Sequence, residues 1–198
     1  LRHLYPKSSP QICSETEIET PADTTSEKAE ILEYIFHVLY NTKNLKQGIS
    51  AILEIVGRHF DVSRVYIFEN SDNSLYCRNT FEWCNEGVES QLDALQTVSY
   101  EDDLGGNFLA NFNEDNIFCC SEITKLPKLQ YELLNKQDIK SLLQCAITDD
   151  GEMRGFVGFD ECRQNRLWTK GQIDVLVLIS EILSTFLLKR RASERYRR

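Results

Sequence analysis

Two apolar runs, "SLLQCAI" at 141–147 and "MRGFVGFD" at 153–160, stand on either side of Asp149-Asp150-Gly151. Asp-Gly between two such runs is a strong hairpin signal, because both residues of a two-residue loop must adopt positive φ. A strand with one wet face alternates polar and apolar residues, whereas these two runs are apolar on both faces. They therefore belong in the middle of a sheet that is covered on both sides. Any fold for this chain must supply two covering layers.

The rest of the chain provides them. Ile31, Leu32, Ile35, Phe36, Val38 and Leu39 recur at helical spacing, with Thr24 and Glu27 placed as a capping box ahead of them. Asn44 and Gln47 open a second helix carrying Leu45, Ile49, Ile52, Leu53, Val56 and Phe60 on one side. From Ser63 the pattern changes to strands: "RVYIFE", the turn residues "NSDN", then "LYCRNTFEW", whose Leu75, Cys77, Phe81 and Trp83 are assigned to one face. Residues 85–115 are irregular and acidic around Gly105-Gly106. A short strand "NIFCCS", a helix from about Lys128 to Lys136, the central hairpin and a long helix complete the order. The reading is one α+β domain over 24–191, with a linker or arm at 1–23 and a connector beginning at 192–198. The sheet is antiparallel and five- to six-stranded, with the terminal helices on one face and a loop and helix lid on the other.

Composition removes several function classes. The net charge is −9, and the last ten residues hold a local +5, so the remainder stands at −14. A fold so acidic lacks the clustered cations that phosphate backbones require, and no nucleic-acid partner is expected. The longest greasy stretch, Ile173 to Leu188, is interrupted by Asp174, Ser180, Glu181, Ser184 and Thr185, which makes it an amphipathic helix and not a membrane span. Seven cysteines without a C-x-x-C pair or a secretory signal fit a reducing, cytoplasmic setting. The three histidines lie far from the cysteines in sequence, so no metal site is expected. The chain begins with Leu, which suggests a piece of something longer.

Asp160-Glu161-Cys162 invites a catalytic reading, but adjacent residues on an extended chain point to opposite sides and cannot share one substrate. "DDLGGNF" lacks the G-x-G-x-x-G spacing of a dinucleotide loop. A thiol-dependent enzyme or redox sensor using Cys84 with Cys119 or Cys120 is the alternative from a different class, and a dimerisation module that binds no ligand is another. Aromatic residues gather in the irregular middle of the chain, which suits a lidded pocket over a sheet. Trp83, Phe108, Phe112, Phe118 and Tyr131 are the residues assigned to a ligand there. After the central strand, Asp160 is assigned a contact with Arg166. Thr169 and Gln172 have capping-box spacing, and Trp168 and Ile173 have that of a hydrophobic staple.

Three segments resemble a known family: "TFEWCNEGVESQLDALQ" at 80–96, "LPKLQYELLNKQDIKSLLQCAI" at 126–147 and "GFVGFDECRQNRLWTKGQIDVLVLISEILSTFLLKRR" at 155–191. They are similar to GAF domains of the kind that precede GGDEF or EAL cyclic-di-GMP modules, or histidine kinases, in bacteria. The resemblance implies a regulatory module without catalysis of its own, with a ligand held between sheet and lid. It also implies a homodimer through the first and last helices and a C-terminal output domain. The marks of better-defined subfamilies (an N-K-x-F-D-E type signature, a bilin-attaching cysteine beside a histidine, a Gly-Val-Cys-Gly type segment) are absent, so no cofactor is assigned. Leu176, Ile179, Leu183 and Phe186 form a helical seam open either to a partner or to the domain's own sheet.

Overall fold

A computed structural model describes residues 21–42 and 44–195. Cys13, His3, most of the 1–23 arm and the end of the 192–198 connector lie outside them. The core is a six-stranded, wholly antiparallel sheet. Its strands are β1 (Arg64–Asn70), β2 (Tyr76–Cys84), β3 (Val98–Ser99), β4 (Ile117–Cys120), β5 (Ser141–Asp149) and β6 (Glu152–Glu161), in the order β3-β2-β1-β6-β5-β4. Among the described residues the α-helices are α1 (Pro21–Asn41), α2 (Leu45–His59), α3 (Lys128–Asn135) and α4 (Lys170–Arg195). This is the α+β arrangement anticipated, with the two-residue β3 added inside the irregular segment. The α1 helix begins at Pro21, upstream of Thr24, so Thr24 is not its N-cap.

The hairpin expectation holds in detail. Asp150 (φ 50°) and Gly151 (φ 77°) both have positive φ and form the two-residue loop between β5 and β6. The order of strands then places β6 between β1 and β5, where both of its faces are covered.

Alternation divides these strands between two cores. Val65, Ile67, Leu143, Cys145, Ile147, Val157 and Phe159 face α2 and α4 and join Ile49, Ile52, Leu53, Leu176, Ile179 and Leu183. The α1 helix packs on α2 and α4, adding Ile31 and Ile35. Their neighbours in sequence, Tyr66, Phe68, Leu142 and Phe156, face the other layer, which α3 and the irregular segment build with Leu95, Leu104, Phe108, Ile123 and Leu134.

One strand breaks the alternation. The β1–β2 register slips between Ile67 and Phe68, so Ile67 pairs with Phe81 while Phe68 pairs with Asn79. This bulge leaves Cys77 and Asn79 on the lid face and turns Phe81 and Trp83 to the helix face. The shared face read for Leu75, Cys77, Phe81 and Trp83 is thus corrected; Leu75 lies outside the strand and is exposed.

The entry to α4 is built as the spacing indicates. The Thr169 amide donates to Gln172 Oε1 (3.0 Å), and the Gln172 amide donates to Thr169 Oγ1 (3.3 Å). Trp168 is buried against Phe159, and Ile173 packs on the same core. The seam on α4 is resolved largely in favour of the domain's own interior: Leu176, Ile179 and Leu183 are each at most 1% exposed, and Phe186 is half-buried.

A cavity under the lid

Between the sheet and its lid lies a cavity of about 40 Å³. It can be built one rung at a time from the strand register. Glu82, Tyr66, Gly158 and Gln144 lie side by side across β2, β1, β6 and β5. The next rung holds Arg64, Asp160 and Leu142, and the one on the other side holds Asn79, Phe68, Phe156 and Ala146. From the lid side, Leu95, Leu104, Phe108, Leu134 and Ile139 close over them.

Gly158 makes the central rung possible. A Cβ there would fall 2.7 Å from the Tyr66 ring and hydroxyl, so only glycine lets that ring lie flat across β6. The tyrosine hydroxyl thereby reaches Gln144, whose Nε2 donates to it at 2.9 Å. Arg64 ties the sheet to the lid: its Nε donates to the Glu89 carbonyl (3.0 Å), one terminal nitrogen to the Gln137 carbonyl (2.9 Å) and the other to Asp160 Oδ2 (3.3 Å). Glu82 Oε2 accepts from the Ser90 hydroxyl (2.6 Å) and the Gln91 amide (2.8 Å), holding the start of the irregular segment.

Asp160 and Glu161, adjacent in sequence, meet opposite environments. Burial pushes the Asp160 carboxyl up to about 7 against the opposing pull of Arg64. Burial also raises Glu161, but Arg163 and Ser63 outweigh it and hold that carboxyl at about 2. Glu161 belongs to the helix-side corner, where Arg163 and Arg166 bind it and also reach the Asp61 and Phe60 carbonyls at the end of α2. The Asp160–Arg166 contact is therefore replaced by two others, Asp160 with Arg64 and Arg166 with Glu161. The reason is the pleat, which sends Asp160 to the lid face and Glu161 away from it.

Among the described residues, three buried side-chain oxygens lack a hydrogen-bond partner: Asn79 Oδ1, Gln144 Oε1 and Asp160 Oδ1. All three residues line this one cavity. Buried polar atoms are nearly always satisfied, so three orphans converging on a single space make it the candidate site.

The residues assigned from sequence divide around this cavity. Phe108 lines it. Phe112 and Phe118 stand behind Phe108, at ring distances of 6.0 and 5.8 Å, and do not line it. Tyr131 is half-buried against the same lid-side core. Trp83 lies on the opposite face of the sheet, so close over Gly57 of α2 that a Cβ there would fall 2.2 Å from its ring, and Arg58 stands 5.8 Å from the ring centroid. Arg64, Tyr66, Asn79, Glu82, Gln144 and Asp160 were not assigned. A polar residue interrupting an otherwise apolar strand, as Gln144 does in "SLLQCAI", is the signal that points to them.

The thiol alternative does not survive the topology. Cys84 is on β2 and Cys119 and Cys120 are on β4, four interstrand steps away across β1, β6 and β5. At about 4.8 Å per step that is roughly 19 Å, and a disulfide needs Cα atoms within about 7 Å. Burial and Glu82 push the Cys84 thiol up to about 12, and burial raises Cys120. Few thiolates, and hence weak nucleophiles, result. Among the described residues no three His, Cys, Asp or Glu side chains assemble as a metal site, and no helix is long and apolar enough to cross a membrane.

No family model matches the chain. It is 30% identical, over 137 residues, to the methanogenesis regulatory histidine kinase FilI of Methanothrix harundinacea. That match covers 67% of this chain and 15% of the kinase, so the chain spans a small part of that relative's length. Among solved structures it is similar to the GAF domain of a phosphoenolpyruvate-protein phosphotransferase from Coxiella burnetii, with a TM-score of 0.68 and 14% identity. That likeness covers 89% of this chain and 99% of the other. It is also similar to the chromophore-binding domain of a bacteriophytochrome from R. palustris, with a TM-score of 0.72, 12% identity, and 89% of this chain and 64% of that one covered. The fold is GAF-like.

Proposed function

We propose that this chain is a cytoplasmic sensory module of a signalling protein, without catalysis of its own, which holds a small ligand between its sheet and lid. The observation that carries the reading is the convergence of three unpartnered, buried oxygens on one cavity. The GAF-like fold and the partial match to a regulatory histidine kinase support it.

In this reading α4 carries the signal onward. Its start is fixed by Trp168 and the Thr169–Gln172 cap, immediately after the loop that Glu161 anchors. The match to a kinase favours a histidine-kinase output over a GGDEF or EAL module. The module pairs as a homodimer through an apolar groove on its terminal helices, lined by Phe36, Leu39, Tyr40, Ile182 and Phe186. Phe36 (58% exposed) and Tyr40 (91%) are large side chains left facing outward on α1.

A thermal-shift screen of the chain against a broad metabolite panel, spanning cations, anions and neutral compounds, tests the sensing role. Ligand at a hundredfold excess over its Kd adds about 2.7 kcal/mol of apparent stability, which is readily seen as a rise in Tm. A panel that moves the Tm nowhere refutes ligand sensing and leaves a purely dimerising role. Analytical ultracentrifugation of Tyr40→Glu tests the pairing: the parent sediments as a dimer and the variant as a monomer. A parent that is monomeric at high micromolar concentration refutes it.

A further inference from the structure

The cavity's chemistry narrows what can enter it, and this inference rests on the ligand-sensing reading above. Its polar wall is made of acceptors. Asn79 Oδ1, Gln144 Oε1 and Asp160 Oδ1 are unpartnered, and their residues are 1%, 3% and 2% exposed. Each donor nitrogen around them already has an acceptor elsewhere. Asn79 Nδ2 donates to Glu82 Oε1 (3.0 Å), Gln144 Nε2 to the Tyr66 hydroxyl, and Gln137 Nε2 to the Leu133 carbonyl (3.0 Å). All three Arg64 nitrogens have acceptors of their own. The Asn79 amide cannot be turned round, because its other end would then place one oxygen against the Glu82 carboxylate, which accepts only.

Charge and shape point the same way. Two carboxylates, Asp160 and Glu82, face the cavity with one guanidinium, Arg64. Above about pH 7, where Asp160 is ionised, the two carboxylates outnumber the one guanidinium and a cation completes the balance. The apolar walls are aromatic: Phe68 and Phe156 stack 5.0 Å apart at 8°, and Phe108 lies 5.8 Å from Phe156. Aromatic faces attract cations. The three acceptors also sit on three different strands, β2, β5 and β6. A planar fork of N–H groups diverging from one centre spans such a set better than a point charge does. A volume of about 40 Å³ restricts the group to a few heavy atoms, since one water needs roughly 10–15 Å³ on this measure.

We propose that the cavity binds a compact organic cation of the guanidinium or amidinium class, whose N–H groups donate to Asn79, Gln144 and Asp160. Any larger part of the ligand extends beneath the lid.

Isothermal titration of the chain with methylguanidinium, tetramethylammonium and acetate, at constant ionic strength, tests this. Methylguanidinium binds saturably and at least tenfold more tightly than the other two. Gln144→Met removes one orphaned acceptor while nearly keeping the volume. It weakens methylguanidinium at least tenfold, yet its Tm without ligand is at or above the parent's; a merely structural glutamine would lower it. If that variant does not fold, Asn79→Ala carries the same comparison. Equal binding of tetramethylammonium, tighter binding of acetate, or an unchanged affinity in the folded variant overturns the assignment. So does no binding of these three probes alongside a hit of another class from the metabolite panel, which leaves the sensing reading standing. No hit from either set overturns both.

Discussion

Replacing Asp160 by Asn should change how stability depends on pH more than stability itself. The native carboxyl titrates at about 7 against an ordinary value of 3.8. The folded state therefore holds its proton more tightly than the unfolded state does. The stabilisation is fully present below about pH 4 and is lost as pH rises through 7. At 1.36 kcal/mol per pH unit the whole interval corresponds to roughly 4 kcal/mol, of which about 2 kcal/mol is lost between pH 5 and pH 7. Asparagine has no proton to lose, so this contribution is flat in the variant. The contact that a neutral asparagine makes with Arg64 is the same at every pH and drops out of the comparison. Urea denaturation at pH 5, 6, 7 and 8, followed by the fluorescence of Trp83 and Trp168, measures the difference. The variant's deficit should shrink, or turn to an advantage, by about 2 kcal/mol from pH 5 to pH 7. A constant deficit, or one that widens as pH rises, would refute the assignment of a raised carboxyl to Asp160.

Other parts of the structure give sharper yes-or-no results. Gly57→Ala would gain up to about 1 kcal/mol in helix propensity, but its Cβ lands 2.2 Å from the Trp83 ring. A net loss of about 1–3 kcal/mol is expected from overpacking, and a stabilised variant in thermal denaturation would contradict the packing. Thr169→Ala should cost about 1 kcal/mol, while Trp168→Ala, which empties a buried site, should cost about 3–5 kcal/mol; equal effects on Tm would mean that the staple does not matter. Alkylation of Cys84 in the native state should be slow at pH 8, because its thiol is held near 12. Rapid stoichiometric labelling there would revive thiol chemistry.

The architecture was legible because periodicity and turn chemistry act locally. Asp150-Gly151 specified the hairpin, the apolar faces of 141–147 and 153–160 specified two covering layers, and Thr169 with Gln172 specified where α4 starts. The cavity was less legible, for two physical reasons. The bulge opposite Ile67 and Phe68 shifts β2 by one residue, and no residue type marks it, so Trp83 was assigned to the wrong side of the pleat from the cavity. The polar wall, moreover, comes from β1, β2, β5 and β6, and its members meet only through register between segments far apart in the chain. Aromatic density located the lid, as Phe108 shows, but it cannot identify the acceptors beneath it.

The alternation along β6 has a consequence for how such a module diversifies. Asp160 and Phe156 face the cavity, while Val157, Phe159 and Glu161 serve the helices or the corner that aims α4. Codons for recognition and codons for transmission are interleaved one for one, yet their side chains never touch the same layer. On the ligand-sensing proposal, substitutions at 64, 79, 144 and 160 exchange one ligand for another while positions 65, 81, 143 and 161 continue to hold the helix side unchanged. A lineage built on this sheet is free to change what it hears without relearning how to speak.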